Sequence, residues 1–196
     1  MAAVIGFRHG MVDNPKGVIY ARLPGFPLAA EGLRQAERLG GLLATAPVRA
    51  VYASPLERAM ETARALAAPH GLDVVPDERL IEWSFWVKWA GTPWADLPER
   101  EPAVRTYERD PAGACPEDPL PEVGARVLQW AAEAAREHEE GIVFGVSHEA
   151  PLAAAYIVGR GEDLSTFRSV NVPLLGVVRL EPGPPELVDP VAALHC

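Results

Sequence analysis

Short apolar runs alternate with longer stretches of mixed polarity along most of the chain. Five runs have the length and the apolar or β-branched character of buried strands: residues 2–7, 48–53, 72–76, 141–146 and 174–180. The stretches that carry apolar residues at helical spacing are residues 29–46, 54–71, 122–140 and a shorter one from about His148. Strands that alternate with helices in this way predict a three-layer α/β/α sandwich, with a mostly parallel central sheet between two helical layers.

The second of these helices carries the clearest boundary signals. Ser54 can cap its N-terminus, Pro55 suits the first helical position, and Glu57 lies where it would complete a capping box. Gly71 is typical of a residue that ends a helix. Residues 181–190 are rich in Pro and Gly instead, so we expect them to be irregular.

The stretch from about residue 83 to 121 breaks the alternation. It is rich in Trp and Pro and too irregular for a layer of the sheet, so we predict a lid insertion over one edge of a single domain spanning residues 1–196. Five aromatic residues in this stretch either pack against one another or line a substrate pocket, and packing is the more common role: Trp83, Phe85, Trp86, Trp89 and Trp94.

Composition and charge narrow the class of partner. The chain has 196 residues, is 48% hydrophobic and carries a formal net charge of -9. That charge argues against nucleic acid or an anionic membrane as a partner. The apolar runs are too short to span a membrane, the N-terminus lacks a basic leader region, and Cys115 and Cys196 form no Cys-x-x-Cys pair. We therefore expect a soluble cytoplasmic protein without a disulfide framework.

Basic and hydroxyl side chains follow three of the predicted strands. In strand–helix units, the carboxyl end of each strand and the start of the next helix lie at the edge of the sheet where ligands bind. The sequence places these residues at that edge: Arg8 and His9, then Ser54 with Arg58 one turn later, then Ser147 and His148. Residues far apart in sequence are thus expected to converge.

The chemistry of this set suits a phosphate group. Arg offers paired donors to phosphoryl oxygens, and the ring nitrogen of a neutral His can attack phosphorus. A metal ion fits less well, because Arg8 beside His9 would repel a cation and no ligand spacing accompanies them. We predict a small phosphorylated substrate, with neither a metal nor another cofactor.

Four ordered motifs carry a resemblance to a known family: "FRHG", "YASPLERAMETA", "RLIEWSFWVKWAG" and "VSHEAP". In order and spacing they resemble the histidine phosphatase superfamily, in its phosphoglycerate-mutase-like branch, over most of the chain. An Arg-His-Gly triplet alone would be weak support, whereas four blocks in order are specific.

The resemblance implies a role for each matching residue. His9 would be the nucleophile that forms a phosphohistidine. Arg8, Arg58 and His148 would bind the phosphoryl oxygens, and His148 would also stabilise the charge that shifts during transfer. Glu82 would protonate the leaving alcohol and then assist the water that hydrolyses the phosphoenzyme.

Glu82 also has a physical argument of its own. A general acid must be protonated near neutral pH, and apolar surroundings raise the pKa of a carboxyl group. Trp83, Phe85 and Trp86 are the neighbours in sequence that could provide such surroundings. Other carboxylates near the same edge are the alternatives: Glu31, Glu57 and Glu149.

Three positions fit the family pattern poorly. Asn14 resembles a phosphate-contacting Asn of relatives, but its spacing from Gly10 is one residue short. Trp86 stands where relatives often have Gly, and Glu149 stands where they usually have a small residue. We expect Glu149 either to pair with its own helix N-terminus or a nearby Arg, or to face the leaving group and select substrates.

The combined hypothesis is a phosphomonoesterase that hydrolyses a small phosphorylated metabolite through a phosphohistidine. The alternatives are phosphoryl transfer of the phosphoglycerate-mutase type, removal of phosphate from a protein phosphohistidine, and a catalytically weak protein that binds a phosphorylated ligand. The sequence names neither the substrate nor the oligomeric state.

Overall fold

A six-stranded sheet forms the centre of the fold in the computed structural model, which describes residues 1–97, 101–138 and 140–190. Its strands are β1 (Ala3–Arg8), β2 (Val48–Ala53), β3 (Val74–Pro76), β4 (Ile142–Ser147), β5 (Val177–Glu181) and β6 (Glu186–Val188). The spatial order is β3-β2-β4-β1-β5-β6. The first four strands in that order are parallel, and β5 and β6 are antiparallel to their neighbours.

The described α-helices connect and cover these strands. They are α1 (Ala30–Leu42), α2 (Glu57–Ala67), α3 (Pro102–Arg109), α4 (Leu120–Glu137) and α5 (Glu149–Arg160). Short 3₁₀ helices lie at Ala68–His70, Glu78–Leu80, Ser84–Trp89, Trp94–Asp96 and Leu164–Ser169. No helix in the described ranges combines the length and the apolar character that a membrane crossing requires.

Alternating side chains of the central strands divide the core in two. Val4 of β1 packs in a cluster with residues of α4 and α5, whereas Ile5 and Phe7 pack with residues of α1 and α2. All six residues of β4 are buried, as expected for a strand covered on both faces. The predicted three-layer sandwich with a mostly parallel sheet is therefore confirmed.

Two predictions of local structure were wrong. Helix α2 begins at Glu57 after the extended residue Leu56, and no side chain caps it. The hydroxyl group of Ser54 lies instead 2.8 Å from a ring nitrogen of His148, so it belongs to the site rather than to the helix cap. Glu186–Val188, in the region expected to be irregular, pairs with β5 because the chain reverses after Glu181. Gly71 does follow the helical stretch, with a φ of +66°.

The stretch rich in Trp, here called the aromatic segment (residues 83–97 and 101–119), includes a helix that the sequence pattern did not predict, α3. Its two ends meet: the backbone N–H of Ser84 donates to the Asp118 carboxylate over 2.9 Å. The indole N–H of Trp83 donates to the Asp118 carbonyl oxygen over 2.8 Å. The aromatic segment is therefore anchored at its base on one residue.

Candidate active site

The parallel register of β1, β2 and β4 brings three strand ends together. Arg8, the last residue of β1, pairs with Ser147, the last residue of β4. The backbone N–H of His9 donates to the Ser147 carbonyl oxygen over 3.0 Å, and that of Ser54 donates to the Val146 carbonyl oxygen over 2.8 Å. The convergence expected from the sequence is thus present, and its cause is backbone pairing.

The ring of His9 is buried and held in one orientation. Its Nδ1 lies 2.8 Å from the carbonyl oxygen of Gly10, which can only accept, so Nδ1 carries the proton. Nε2 therefore has the lone pair, and it accepts a hydrogen bond from the Nε–H of Arg58 over 3.3 Å. Burial, reinforced by the positive charge of Arg58, lowers the pKa of His9 to about 3. The ring is neutral at physiological pH and offers Nε2 as a nucleophile.

Close packing fixes the backbone that follows His9. The N–H of Gly10 donates to the Thr62 hydroxyl oxygen over 3.0 Å, and that hydroxyl donates to the Arg58 carbonyl oxygen over 2.8 Å. Gly32 of α1 lies so near that a Cβ added to it would be 2.2 Å from the carbonyl oxygen of Met11. Helix α1 therefore holds the loop in place through direct backbone contact.

Arg58 supplies a fixed positive charge beside His9. Its Nη2 donates to the carbonyl oxygen of Ala21 over 2.7 Å, and its guanidinium lies 4.8 Å from the ring centre of Tyr20. Ala21 has a φ of +40°, which is uncommon for a residue with a side chain and turns this carbonyl towards Arg58. Burial lowers the pKa of Arg58, while the nearby charge of Glu82 opposes that shift.

His148 lies across from His9, with the two ring centres 5.1 Å apart. Its Nε2 is 2.8 Å from the Ser54 hydroxyl oxygen, whereas its Nδ1 is buried without a hydrogen-bond partner among the described residues. That Nδ1 is 3.8 Å from the carboxylate of Glu82. Burial, reinforced by the charge of Arg58, holds the pKa of His148 well below its ordinary value, so this ring is neutral.

Glu82 lies in surroundings that favour the protonated form of its carboxyl group more than water does. Its side chain is 16% exposed, and desolvation raises its pKa although the charge of Arg58 opposes that rise. One carboxylate oxygen accepts a hydrogen bond from the backbone N–H of Trp83 over 2.9 Å. Among the carboxylates that the sequence left open, Glu31 pairs with Arg34 on exposed surface of α1, outside the cavity.

Arg126, which the sequence analysis did not single out, and Ser147 hold the backbone before Glu82. Arg126 of α4 donates from Nη1 to the Arg79 carbonyl oxygen over 2.6 Å and from Nη2 to the Ile81 carbonyl oxygen over 2.7 Å. The Ser147 hydroxyl donates to the Leu80 carbonyl oxygen over 2.7 Å. Ser147 lies at the expected edge of the sheet, where its hydroxyl ties the end of β4 to this loop.

Arg22 holds the same loop from its other side. Its Nε donates to the carbonyl oxygen of Glu82 over 2.7 Å, and its Nη2 pairs with the Asp118 carboxylate over 3.0 Å. The position of Glu82 is therefore set through its backbone by arginines from distant parts of the sequence. No local motif marks either arginine, which explains why the sequence did not reveal them.

Glu149, the first residue of α5, pairs with Arg8. One of its carboxylate oxygens is 2.8 Å from Arg8 Nη1, which also donates to the Val172 carbonyl oxygen over 2.7 Å. The Glu149 side chain is 43% exposed and borders the same cavity as Arg8. The pairing with a nearby Arg agrees with the first expected arrangement, but the carboxylate stays at the border of the cavity instead of turning away from the phosphate site.

We expect Glu149→Gln to tighten inhibition by inorganic phosphate about two- to fivefold, because phosphate then no longer competes with a carboxylate for Arg8. Inhibition constants measured at constant ionic strength check this result. Glu31→Gln, which removes an exposed carboxylate that pairs with Arg34 outside the cavity, serves as the matched control. An unchanged inhibition constant in Glu149→Gln would contradict the competition between the two anions.

Asn14 is not brought to the site. Its amide nitrogen donates to the Val18 carbonyl oxygen over 2.8 Å, and its amide oxygen accepts from the Val18 N–H over 3.0 Å. Asn14 is not among the residues that border the cavity. Both polar groups of its side chain are hydrogen-bonded to the backbone of its own loop. The spacing from Gly10, one residue shorter than in relatives, is consistent with the position of Asn14 outside the cavity.

The cavity at this edge of the sheet has a volume of about 340 Å³. Arg8, His9, Glu82 and Glu149 border it on the polar side. Three of the five aromatic residues weighed from the sequence also border it, namely Trp83, Trp86 and Trp94. The other two, Phe85 and Trp89, are buried within the aromatic segment and do not reach the cavity. Two of the five residues therefore serve packing, and three also border the cavity, where contact with a substrate stays a prediction.

Potential metal ligands do not cluster in the part of the chain that the structure describes: no group of three or more His, Cys, Asp or Glu side chains there could hold an ion. Cys115 is buried as a free thiol, and Cys196 lies outside the described residues.

Comparison with known proteins places this site in a family. Residues 4–188 match the model of the histidine phosphatase superfamily, branch 1. The chain is 38% identical over 156 residues to an uncharacterized protein of Mycobacterium tuberculosis, covering 78% of this chain and 77% of that protein. It is 31% identical over 176 residues to phosphoserine phosphatase 1 of Hydrogenobacter thermophilus, covering 86% of this chain and 81% of that one.

A solved structure has the same fold. The phosphoserine phosphatase of Entamoeba histolytica, in complex with 3-phosphoglyceric acid, superposes with a TM-score of 0.80 at 21% identity, covering 96% of each chain. The family model, the ordered motifs and the converging strand ends agree, and the chain therefore belongs to branch 1 of the histidine phosphatase superfamily as a phosphatase of that type.

Proposed function

We propose that this phosphatase hydrolyses a small phosphomonoester through a phosphohistidine formed on His9. The observation that carries the proposal is the orientation of the His9 ring, whose Nδ1 proton is held by the Gly10 carbonyl so that Nε2 presents its lone pair beside Arg58. Arg8 borders the cavity, and Arg58 lies buried beside His9, so both provide positive charge near the phosphoryl oxygens. Neutral His148, also buried, has its ring centre 5.1 Å from that of His9 and is proposed as a further donor.

In the first step, Nε2 of His9 attacks phosphorus and the bond from phosphorus to the ester oxygen breaks. The leaving oxygen takes a proton from the carboxyl group of Glu82, which becomes a carboxylate. The positive charge on the substituted imidazole is stabilised through the hydrogen bond from Nδ1 to the Gly10 carbonyl oxygen.

In the second step, a water molecule attacks phosphorus while the Glu82 carboxylate accepts one of its protons. The bond from phosphorus to Nε2 breaks, inorganic phosphate is released, and His9 returns to its neutral form. Glu82 thus acts as acid and then as base, and no atom or charge is left over.

The size of the cavity supports a small substrate. Its volume of about 340 Å³ lies at the lower end of the roughly 300–1,000 Å³ found for small-molecule sites. That volume suits a phosphoryl group with a compact leaving group better than a phosphohistidine on a folded protein. A cytoplasmic location and the absence of a cofactor remain predictions from composition and motifs.

A screen of phosphorylated metabolites for release of inorganic phosphate tests this proposal. We expect several small monoesters to be hydrolysed, with one class clearly preferred. Binding of phosphorylated ligands without turnover of any monoester would contradict it and favour a binding protein. Exchange of phosphate between two positions of one metabolite, faster than its release, would favour a mutase.

We expect activity to survive exhaustive chelation, because Arg8 and Arg58 already supply positive charge where a metal ion would otherwise act. Steady-state turnover after dialysis against EDTA, with and without added Mg²⁺ or Zn²⁺, checks this expectation. Loss of activity that a divalent ion restores would contradict it.

A further inference from the structure

Five aromatic rings form one continuous wall of the cavity. Adjacent rings have centres 5.0 to 6.4 Å apart, and all five border the cavity: Trp94, Trp86, Tyr107, Trp83 and Phe167. They come from the aromatic segment and from the 3₁₀ helix Leu164–Ser169. We call this set the aromatic wall. The aromatic wall is expected to contact the leaving group, because the phosphoryl group is proposed to bind at the polar residues Arg8 and His9.

Packing of the aromatic segment does not account for the whole wall. Phe85 and Trp89 form the buried interior of the segment, with 5% and 8% of their surface exposed. Within the wall, Trp83 and Phe167 are buried to a similar degree, with 1% and 7% exposed. Trp94, by contrast, leaves 49% of its surface exposed although its ring is in contact with Trp86. Exposed aromatic surface at the border of a cavity is typical of a surface that a ligand covers.

The charges that border the wall disfavour a second anionic group on the substrate. The carboxylate of Glu149 borders the cavity and would repel such a group, and Arg8 is engaged by Glu149. Arg168 is the other cation at the border, and it donates to the Glu108 carbonyl oxygen with its guanidinium 5.9 Å from the Tyr107 ring centre. Its planar group therefore lies alongside the wall and lengthens it.

We propose that the leaving group of the natural substrate carries a flat aromatic or heteroaromatic ring, which stacks on the aromatic wall while the phosphoryl group is bound at His9. This inference rests on the proposed phosphatase function and specifies its substrate class. The cavity has room for about one such ring beside a phosphoryl group, since its volume is near the lower limit for small-molecule sites.

Substrates with alcohols of similar acidity test the inference, because differences in turnover then report recognition of the leaving group rather than its chemistry. We expect kcat/KM for 2-phenylethyl phosphate to exceed that for butyl phosphate about tenfold, with most of the difference in KM. 3-Phosphoglycerate has an anionic leaving group, phosphoserine a zwitterionic one and phosphocholine a cationic one, and all three are expected to be poorer substrates than 2-phenylethyl phosphate.

Variants of the aromatic wall distinguish the loss of ring stacking from a loss of activity that follows from a disturbed fold. Trp86→Leu and Trp94→Leu should reduce the ratio of kcat/KM for the phenyl ester to kcat/KM for butyl phosphate several-fold. Trp86→Phe keeps a ring and should retain most of the preference. Tyr156→Leu removes a half-buried ring of α5 outside the cavity and is the matched control. It should change kcat/KM for neither of the two esters.

Binding of 2-phenylethylphosphonate and butylphosphonate, measured by calorimetry, makes the inference independent of catalysis. Tighter binding of the phenyl compound to wild type, reduced in Trp94→Leu, supports the wall as a ring site.

Equal binding of the two phosphonates overturns the inference even if hydrolysis is normal. A preference for phosphoserine or 3-phosphoglycerate that Arg168→Gln removes also overturns it, as does a preference for phosphocholine. Failure of every ester to turn over, with ring-selective binding intact, refutes the proposed hydrolysis alone.

Discussion

Replacing His9 with alanine is expected to lower turnover of every phosphomonoester by on the order of 10⁴-fold or more, because among the described residues His9 is the histidine that borders the cavity. Wild-type protein quenched during turnover of a ³²P-labelled substrate should carry an acid-labile phosphoryl group, and His9→Ala should carry none. Circular dichroism and thermal melting check that the variant is folded.

His138→Ala is the matched control, because His138 is a partly buried histidine outside the cavity that contacts Tyr52. Its turnover and its label should equal those of wild type. Full activity in His9→Ala, or an equal label in both variants, would contradict nucleophilic catalysis by His9.

Replacing Glu82 with glutamine is expected to have the second largest effect, and its size should depend on the leaving group. Esters of alkyl alcohols need a proton in the transition state, so their hydrolysis should slow by about 10²–10⁴-fold. 4-Nitrophenyl phosphate releases a stable anion, and its hydrolysis should slow by less than about tenfold. Steady-state rates on the two kinds of ester check this contrast.

The pH profile gives an independent test of Glu82. Since burial raises its pKa, the protonated acid persists to a higher pH than for an ordinary glutamate, and activity on alkyl esters should fall as the pH rises through that pKa. Glu82→Gln should lack this alkaline limb. On the acid side, the pKa of His9 at about 3 keeps the nucleophile unprotonated at pH 5.

Other carboxylates provide the controls for Glu82. Glu57→Gln changes an exposed residue at the start of α2 and should leave the ratio of alkyl to aryl rates unaltered. Equal losses on both kinds of ester in Glu82→Gln would argue against its role as acid. A selective loss on alkyl esters in Glu149→Gln would transfer the role to that residue.

The sequence predicted the features of this fold that depend on periodic burial. Apolar runs mark the buried strands, and the order of strands and helices leaves few ways to arrange them. The sequence alone therefore predicts that Arg8, Arg58 and His148 lie at one edge of the sheet. The raised pKa of Glu82 also followed from its apolar neighbours, although its cause is burial in the folded site rather than the adjacent rings alone.

What the sequence did not reveal depends on contacts between distant residues. The capping signals at Ser54 were overridden because its hydroxyl is engaged by His148, a partner 94 positions away. Arg22 and Arg126 act on backbone carbonyl groups, which every residue has, so no pattern of residue types marks their targets. Tyr107 and Phe167 join the aromatic wall only because the fold brings two separate segments together.

The meeting of both ends of the aromatic segment on Asp118 has a consequence for how relatives of this enzyme can diverge. A loop whose ends are held side by side can change in length and composition without altering the distance between its anchor points. Residues 91–94 also pair with the loop at residues 17–19, so an exchanged stretch would have to keep those contacts as well as the anchor on Asp118. If the aromatic wall selects the leaving group as proposed, we expect a chimera that keeps both sets of contacts to change its leaving-group preference while Arg22 and Arg126 still position Glu82.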